Sequence, residues 1–404
     1  MTTTTPNSYW YFFFAVLLAP ALWLKYRIRI TGNLRHIPKP AILVCSHMSN
    51  LDFLFLAFAM LPTRLNFVCS ANYFSNPLFR FLLANLGAIS KRQFSPDVAA
   101  MRSISKILAN DGVVAIFPSG QSSFAGQSTP INTSIAKLIK HFAVPVISVR
   151  LSGANLALPK WNMSWPRKSR VAAERNLLLS KDDCRELSRE EIYYQVCHAL
   201  RFDDYEDMRE MRPKLRSRKP RSAKGLEKIL FLCPVCHCEY TISTKRNRVY
   251  CSACGYKVKM DHTGYLEGGG FDTPTQWYRW QKEYLDETLQ DEACWMIDTV
   301  QLIKVEENNE RVPVGAAHMT LDCHTLHIEC AALGREMDIN HKIHPIFGRE
   351  DPREIVVGSE GKQYSLLFDN PCKAAKAIAI KELLFDRQLK MFQSSITEKF
   401  TVRR

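Results

Sequence analysis

The sequence has no internal repeat and too few cysteines for a disulfide framework. Its 13 cysteines are spread over 404 residues, which excludes the small secreted folds that depend on disulfides and is typical of free thiols in a reducing compartment. The absence of a repeat excludes solenoids and propellers. The first half also has no glycine-rich phosphate-binding loop. A chain of this length is expected to form two or three domains with a sizeable core.

Acidic residues are outnumbered by basic ones. The chain has 54 Lys and Arg against 40 Asp and Glu, which gives a formal net charge of +14 at pH 7. A basic chain favours anionic partners, either nucleic acid or the negatively charged face of a membrane. Composition alone leaves both classes of partner open.

Charge is absent from residues 9–24 (YWYFFFAVLLAPALWL). This run is slightly short for a straight transmembrane helix, so a single span and an interfacial helix both remain open. No Lys or Arg precedes the run, which argues against a cleaved signal peptide. Lys25, Arg27 and Arg29 follow it and predict that the bulk of the chain faces the cytoplasm. We expect residues 1–30 to form an N-terminal membrane anchor.

The mostly apolar residues 42–59 contain a histidine and an aspartate, His47 and Asp52. Residues 42–45 predict a buried strand, and Ser49 or Asn50 predicts the cap of the next helix. With Ser49 as the cap, Asp52 takes the third helical position, from which its carboxylate can fold back toward His47. A carboxylate on one imidazole nitrogen makes the other a better base. The pair is thus suited to taking a proton from a hydroxyl, although an isolated pair at this spacing is often only capping and packing.

Strands and helices alternate over the following residues. Predicted strands at 66–69, 113–117 and 144–151 are separated by predicted helices at 76–86, 95–110 and 133–141. This alternation is typical of an α/β layer. We therefore predict a mixed, largely parallel sheet flanked by helices, within a domain that covers residues 31–212.

The motifs of this domain resemble those of the glycerolipid acyltransferase family, the lysophosphatidate and glycerol-3-phosphate acyltransferases. The family's first motif, His and Asp separated by four residues, is matched by His47 and Asp52. Its second motif, a Gly followed by an apolar stretch and an Arg, is matched by Gly87, Ile89 and Arg92. Motifs that occur together in order are far more specific than any one alone.

The third and fourth motifs follow at family-like intervals. Residues 117–123 (FPSGQSS) replace Phe-Pro-Glu-Gly-Thr-Arg-Ser, and residues 144–146 match the Val-Pro motif. Ser119 thus occupies the position of the family's Glu, and Gln121 and Ser122 replace Thr and Arg. The Pro-Ser-Gly version resembles plastid-type glycerol-3-phosphate acyltransferases. The resemblance covers about residues 40–180.

The resemblance implies an O-acyltransferase of phospholipid synthesis. It would move an acyl group from acyl-CoA or acyl-carrier protein to a hydroxyl of a glycerol-phosphate or lysophospholipid acceptor. His47 would be the general base, Asp52 would orient it, and Arg92 would hold a phosphate of the acceptor. Further acceptor contacts would come from the turn formed by Pro118, Ser119 and Gly120. The alternative is a catalytically silent lipid-binding or scaffold protein.

A second cluster of motifs lies at residues 229–262, beyond a basic linker at 213–228. Two CxxC pairs are separated by fourteen residues that predict a hairpin, and their cysteines are Cys233, Cys236, Cys251 and Cys254. Four thiolates at this spacing predict a zinc ribbon with structural Zn²⁺, with rubredoxin-like iron as the competitor. His237 and Cys238 are spare ligands. The ribbon suits a protein partner better than nucleic acid, while the domain before it would contact membrane lipids and the thioester donor.

Residues 263–404 predict a β-rich accessory domain. Short alternating segments between residues 300 and 368 are followed by a helix from about residue 371 to residue 391. Antiparallel strands closed by one helix resemble a pleckstrin-homology-like barrel. The histidines of this part show no metal-ligand spacing, which favours structural roles for His318, His324, His327, His341 and His344.

Overall fold

The computed structural model describes residues 6–74, 76–92, 97–162, 166–210, 223–289, 294–306, 310–340 and 351–401. They divide into two compact units. The first unit consists of Met1–Lys224, Lys245–Arg248 and Lys259–Thr275, and the second of Gly225–Thr244, Val249–Val258 and Gln276–Arg404. The domain boundaries expected above stay predictions, and most of the predicted basic linker lies outside the described residues. All 13 cysteines are free thiols.

A seven-stranded sheet forms the centre of the first unit. Its strands are β1 (Arg29–Thr31), β2 (Ala41–Cys45), β3 (Leu65–Ser70), β4 (Ile89–Lys91), β5 (Val113–Ile116), β6 (Val146–Ser152) and β7 (Ala172–Leu179). Their order in the sheet is β1-β7-β6-β2-β5-β3-β4. The pairs β6/β2, β2/β5, β5/β3, β3/β4 and β1/β7 are parallel, and β6/β7 is antiparallel. The predicted mixed, largely parallel sheet is confirmed.

Helices flank this sheet, because strands buried on both sides need apolar partners. The helices of the described part of the first unit are α1 (Ser8–Phe13), α2 (Ala19–Tyr26), α3 (Asp52–Ala59), α4 (Pro77–Asn85), α5 (Val98–Ala109), α6 (Ser134–Phe142), α7 (Ala154–Ala157), α8 (Lys181–Glu186), α9 (Arg189–Ala199) and α10 (Asp204–Asp207). Asn76 caps α4, the helix predicted at residues 76–86, since its side chain accepts the N–H groups of Leu78 and Phe79. The predicted start of α5 at residues 95–96 lies outside the described residues.

The parallel strands share one edge of the sheet, here called the carboxyl edge. The carboxyl ends of β6, β2, β5, β3 and β4 all lie there, because each is parallel to its neighbour in that row. The amino end of β7 lies at the same edge because β7 is antiparallel to β6, and the amino end of β1 follows. Ligand sites of such sheets form where the carboxyl ends meet.

One continuous apolar helix precedes β1. It joins α1, a π-helical segment Phe14–Leu18 and α2 into a 19-residue helix, Ser8–Tyr26, here called the N-terminal helix. Within the described residues it is the one helix long and apolar enough to cross a membrane by length and composition. Its end, Tyr26, leads into β1 at the carboxyl edge.

The remaining strands form two further sheets. A small sheet has the order β11-β10-β9-β8, with β8 (Ile242–Lys245), β9 (Arg248–Cys251), β10 (Lys257–Met260) and β11 (Leu266–Glu267). The strands of the six-stranded sheet are β12 (Met296–Val305), β13 (Arg311–Leu321), β14 (Thr325–Cys330), β15 (Arg335–Asn340), β16 (Glu354–Ser359) and β17 (Lys362–Leu367). Helices α11 (Pro274–Thr288) and α12 (Pro371–Thr401) complete the chain.

The six-stranded sheet is antiparallel, with the order β15-β14-β13-β12-β17-β16. Its outer strands in this order are β15 and β16. The predicted β-rich region with a C-terminal helix is therefore confirmed, and β15 is a strand that the sequence analysis did not identify. His341 and His344 lie outside the described residues.

Candidate active site

His47 and Asp52 form a hydrogen-bonded pair at the carboxyl end of β2. Nδ1 of His47 lies 2.7 Å from Oδ2 of Asp52. The carboxylate is fully buried, whereas 20% of the imidazole is exposed. The pair therefore directs Nδ1 inward and leaves Nε2 as the ring nitrogen available to a substrate hydroxyl.

The same carboxylate oxygen organises the turn that precedes α3. Oδ2 of Asp52 accepts the backbone N–H of Met48 at 2.5 Å and that of Ser49 at 2.9 Å. Because α3 begins at Asp52 with Leu51 as its N-cap, the cap predicted at Ser49 or Asn50 is wrong. Ser49 accepts the Leu51 N–H with its Oγ at 3.0 Å instead. The carboxylate still reaches back as predicted, since the turn before the helix is tight.

The loop after β5 holds His47 from a second direction. The ring of Phe117 stacks on the imidazole with 4.5 Å between ring centroids. The N–H of Ser123 donates to the backbone carbonyl of His47 at 3.0 Å. The Ser123 hydroxyl donates to the Gln127 carbonyl at 2.5 Å and accepts the Gly126 N–H at 3.0 Å. No role for Phe117 or Ser123 followed from the sequence, although both lie within the third motif.

A third support comes from α7, beyond β6. The side chain of Asn155 is fully buried, and its Nδ2 donates to the Met48 carbonyl at 3.4 Å. The Asp204 carboxyl accepts the N–H groups of Gly153 and Leu156 at the start of α7. Burial raises the pKa of Asp204 to about 7. No sequence pattern pointed to Asn155 or Asp204, because their roles depend on packing between distant segments.

The predicted acceptor turn lies after β5, directly beside β2 in the sheet. The Ser119 hydroxyl donates to the Gln121 carbonyl at 3.0 Å, and the Gly120 N–H donates to the Phe117 carbonyl at 2.9 Å. Gly120 has a φ of +70°, which favours glycine. Pro118 is buried and Gly120 is exposed. Both donors are thus engaged within the loop, and the Ser119 oxygen keeps lone pairs for a ligand donor.

Arg92 lies at the same edge but farther along it. It follows β4, which is three strands from β2, so at about 4.8 Å per strand the two strands are about 14 Å apart. The residue is exposed, and its backbone N–H donates to the Asp97 carboxylate at 2.9 Å. The structure therefore brings His47, Asp52 and the third-motif turn together and leaves Arg92 at the far end of the same edge.

Comparison with protein families gives a match over this part of the chain. Residues 27–152 match the sequence model of the Acyltransferase family. This match identifies an acyltransferase domain within the chain. The acyltransferase domain so defined contains His47, Asp52 and Arg92 and the whole third motif, which confirms the resemblance that the four motifs predicted. An acyltransferase domain implies an acyl donor as co-substrate.

Solved structures give a weaker likeness. A crystal structure of the 1-acyl-sn-glycerophosphate (LPA) acyltransferase PlsC from Thermotoga maritima is 21% identical in sequence, with a TM-score of 0.39. The match covers 49% of this chain and 76% of that one. No curated protein sequence matches the chain.

Outside the acyltransferase domain, the four predicted ligand cysteines converge. The Sγ atoms of Cys233, Cys236, Cys251 and Cys254 lie within 4.8 Å of one another. The distances Cys233–Cys254 and Cys236–Cys251 are both 3.7 Å. A tetrahedral Zn²⁺ with bonds of about 2.3 Å requires sulfurs about 3.8 Å apart. The four sulfurs therefore fit Zn²⁺, and they leave no coordination position open.

The two CxxC turns have the same backbone geometry. The His237 N–H donates to the Cys233 carbonyl and the Gly255 N–H to the Cys251 carbonyl, both at 3.1 Å. Both residues have positive φ, 55° and 75°. Cys238 is exposed, and the His237 ring packs on Tyr284 with centroids 4.8 Å apart. The two spare ligands suggested by the sequence thus lie outside the four-sulfur cluster.

Proposed function

We propose that the chain transfers an acyl group from acyl-CoA or acyl-carrier protein to a hydroxyl of a glycerol-phosphate or lysophospholipid acceptor. The observation that carries this proposal is the His47–Asp52 pair, with Nδ1 held by a buried carboxylate and Nε2 free to face substrate. Nε2 takes the proton of the acceptor hydroxyl as its oxygen attacks the thioester carbonyl. The carbon–sulfur bond then breaks, and the leaving thiolate recovers the proton. General-base catalysis of this kind contributes about 10²–10⁴-fold.

Asp52 is the positioning residue for this base. Its Oδ2 faces Nδ1, which keeps the proton of the neutral imidazole on Nδ1 and the lone pair on Nε2. Once Nε2 has taken the hydroxyl proton, the imidazolium is stabilised by the adjacent carboxylate. Phe117 and Ser123 restrict the ring and its backbone, so the base is held before substrate arrives.

The acceptor phosphate would lie toward β4. Arg92 offers a planar, permanently charged fork that suits phosphate. An acceptor whose hydroxyl meets His47 would extend along the carboxyl edge past the turn at Ser119, which belongs to the strand beside β2. The alternative, a silent lipid-binding protein, would retain this surface and lack turnover.

The N-terminal helix would attach the domain to a membrane by lying within one leaflet. Its beginning is held by Arg64, whose Nη1 donates to the Pro6 carbonyl at 2.9 Å and to the Ser8 hydroxyl at 2.7 Å. Its first turn is also held by the Tyr11 hydroxyl, which bonds to the N–H and carbonyl of Leu65. Tyr26, at the other end of the helix, is buried. A helix held to the domain at both ends cannot be surrounded by lipid on all sides, so we favour the interfacial placement over the single span.

Helix α4 extends the apolar surface of the N-terminal helix. None of its side chains is buried, although Leu78 (66% exposed), Phe79 (52%) and Phe81 (57%) are strongly apolar. Phe81 meets Trp10 of the N-terminal helix edge to face, with centroids 6.2 Å apart. A contiguous apolar surface of this kind marks a membrane or partner contact. The exposed cations Arg27 and Arg80 beside it suit the anionic lipids of a cytoplasmic leaflet.

The four-cysteine cluster would hold structural Zn²⁺ and present the ribbon to a protein partner. A bound Zn²⁺ supplies a rigid tetrahedral cross-link between the two CxxC turns. The cysteines Cys233 and Cys251 are buried, which protects such a cross-link from solvent.

The decisive experiment is acyl transfer by the full chain in detergent or vesicles, with labelled acyl-CoA and acyl-carrier protein and with glycerol-3-phosphate and lysophosphatidate as acceptors. His47→Ala is expected to abolish product. His141→Ala is the matched control, because His141 is exposed at the end of α6, next to the opposite edge of the sheet. Undiminished product in His47→Ala would refute the base assignment, and no product with any acceptor would favour the silent alternative.

A further inference from the structure

A histidine and three carboxylates lie together on the exposed face of β14 and β15. In the antiparallel ladder His327 is directly opposite Asp338, and Glu329 is directly opposite Glu336. Residues two apart on a strand point to the same face, so all four side chains share that face. This group, here called the His327 cluster, belongs to the second unit and is separate in sequence from the four cysteines.

Both ring nitrogens of His327 lie beside carboxylates. Nδ1 of His327 lies 2.7 Å from Oδ1 of Asp338, and Nε2 lies 3.1 Å from Oε1 of Glu329. His327, Glu329 and Glu336 each offer one potential ligand atom, and these three atoms lie within 4.8 Å of one another. Histidines that ligate metals commonly give their other ring nitrogen to a carboxylate, which fixes the tautomer and the ring. Asp338 is placed to do this for His327.

Charge provides an independent argument. Like charges directly opposite each other on neighbouring strands are destabilising, and Glu329 and Glu336 form such a pair. On β13, His318 is opposite Glu329 and Thr320 is opposite His327. On β12, the next strand, Thr299 is opposite His318 and Ile297 is opposite Thr320. None of these described positions carries a Lys or Arg, in a chain with a net charge of +14. A cation bound between the carboxylates would remove the repulsion.

We propose that the His327 cluster binds a divalent transition-metal ion, Zn²⁺ above all. The ligands are Nε2 of His327 and one carboxylate oxygen each of Glu329 and Glu336, with water in the remaining positions, and Asp338 orients the imidazole. Ligand distances of about 2.0–2.2 Å require the exposed carboxylates to close in by about 1 Å. An imidazole ligand favours Zn²⁺ over Mg²⁺ or Ca²⁺. The ion would tie β15, the outermost strand of the sheet order, to β14.

The test is calorimetric titration of the full chain with Zn²⁺, after dialysis to a measured content of one zinc per chain in the four-cysteine cluster. A second equivalent is expected to bind, with a dissociation constant on the order of micromolar. Asp338→Asn is expected to weaken this binding by about 10–100-fold, and His327→Ala to abolish it. His324→Ala, an exposed histidine in the turn between β13 and β14, is the matched control and is expected to bind normally.

Two results would overturn the proposal. One is the absence of a second equivalent up to millimolar Zn²⁺, and the other is equal binding by the wild type and the His327→Ala variant, which would identify scattered surface carboxylates as the ligands. Glu336→Gln provides a second variant that keeps the size of an exposed side chain, and it should also lose the second equivalent. Unchanged melting temperatures without added metal would show that each variant is folded.

Discussion

Nδ1 of His47 lies 2.7 Å from Oδ2 of Asp52, and that same oxygen accepts the backbone N–H groups of Met48 and Ser49. One buried carboxylate oxygen thus serves both the imidazole and the turn that carries it. The two duties can be separated, because an amide oxygen in the same place can accept all three hydrogen bonds but brings no negative charge to an imidazolium.

Asp52→Asn is expected to fold and to lose about 10²–10⁴-fold in kcat. Its amide oxygen, in the place of Oδ2, can accept the N–H groups of Met48 and Ser49 and the Nδ1–H of His47. The amide carries no negative charge, so it does not stabilise the imidazolium that forms when Nε2 takes the hydroxyl proton. Asp52→Ala leaves both buried N–H groups unpaired and should also lose about 1–3 kcal/mol of stability for each. Both variants are checked by the rate of acyl transfer at saturating substrate and by the melting temperature. A wild-type kcat in Asp52→Asn would contradict the role of Asp52 as the positioning residue.

Ser123→Ala is expected to lower kcat by loosening the loop that supports His47. The substitution removes one donated and one accepted hydrogen bond, those to Gln127 and Gly126. Ser128→Ala is the matched control, because its hydroxyl donates to the Phe202 carbonyl and accepts the Phe202 N–H. Both variants should lose about 1–3 kcal/mol of stability. Only Ser123→Ala should also have a lower kcat. Equal kcat in the two variants would remove Ser123 from the site.

The double variant Phe79→Asp, Phe81→Asp is expected to bind anionic vesicles at least tenfold more weakly. Burying one phenylalanine side chain is worth about 1.5–3 kcal/mol, and neither ring is buried in the protein itself. Stability should fall only by the loss of the contact between Phe81 and Trp10, worth about 0.5–1.5 kcal/mol. Val312→Asp, at an exposed apolar position on β13, should bind vesicles normally. Cosedimentation measures the effect, and undiminished binding by the double variant would exclude α4 from the membrane surface.

Cys251→Ser is expected to lower the zinc content from one ion per chain to zero and to lower the melting temperature. A buried thiolate position in a closed four-sulfur site has no substitute ligand nearby of the same geometry. Cys238→Ser, in the same ribbon but exposed, should keep its zinc. Elemental analysis of the purified variants measures the zinc content per chain. One zinc per chain in Cys251→Ser would refute the proposed ligand set.

Asp204 is expected to make the first unit less stable as pH rises from about 4 to about 7. Burial raises its pKa to about 7 in the folded protein, against about 3.9 when unfolded. Between these two pKa values the folded protein keeps a proton on Asp204 that the unfolded chain has released. The free energy of unfolding is therefore highest below the unfolded pKa of about 3.9, and it falls as pH rises toward the folded pKa of about 7. The full effect is on the order of 4 kcal/mol. In Asp204→Asn, melting temperatures measured across this range should lose that slope, and an unchanged slope would contradict the shift.

Much of the local structure could be predicted from the sequence. The run 42–45 became β2, Asn76 capped α4, and the carboxylate of Asp52 met His47, because each depends on residues within a few positions of one another. The exact start of α3 was missed, since the turn before it satisfies the same N–H groups that a cap would. Helix ends are decided by small differences between such alternatives.

The sequence by itself determined the spacing motifs: the His47–Asp52 pair, the third-motif turn and the two CxxC turns with their common geometry. Only the tertiary structure decided which distant segments meet. Strand order placed Ser123 against His47, helix packing brought the start of the N-terminal helix to Arg64, and the register of β14 on β15 set Asp338 opposite His327. Linear spacing carries no record of such contacts, because register and strand order are chosen by burial summed over the whole sheet.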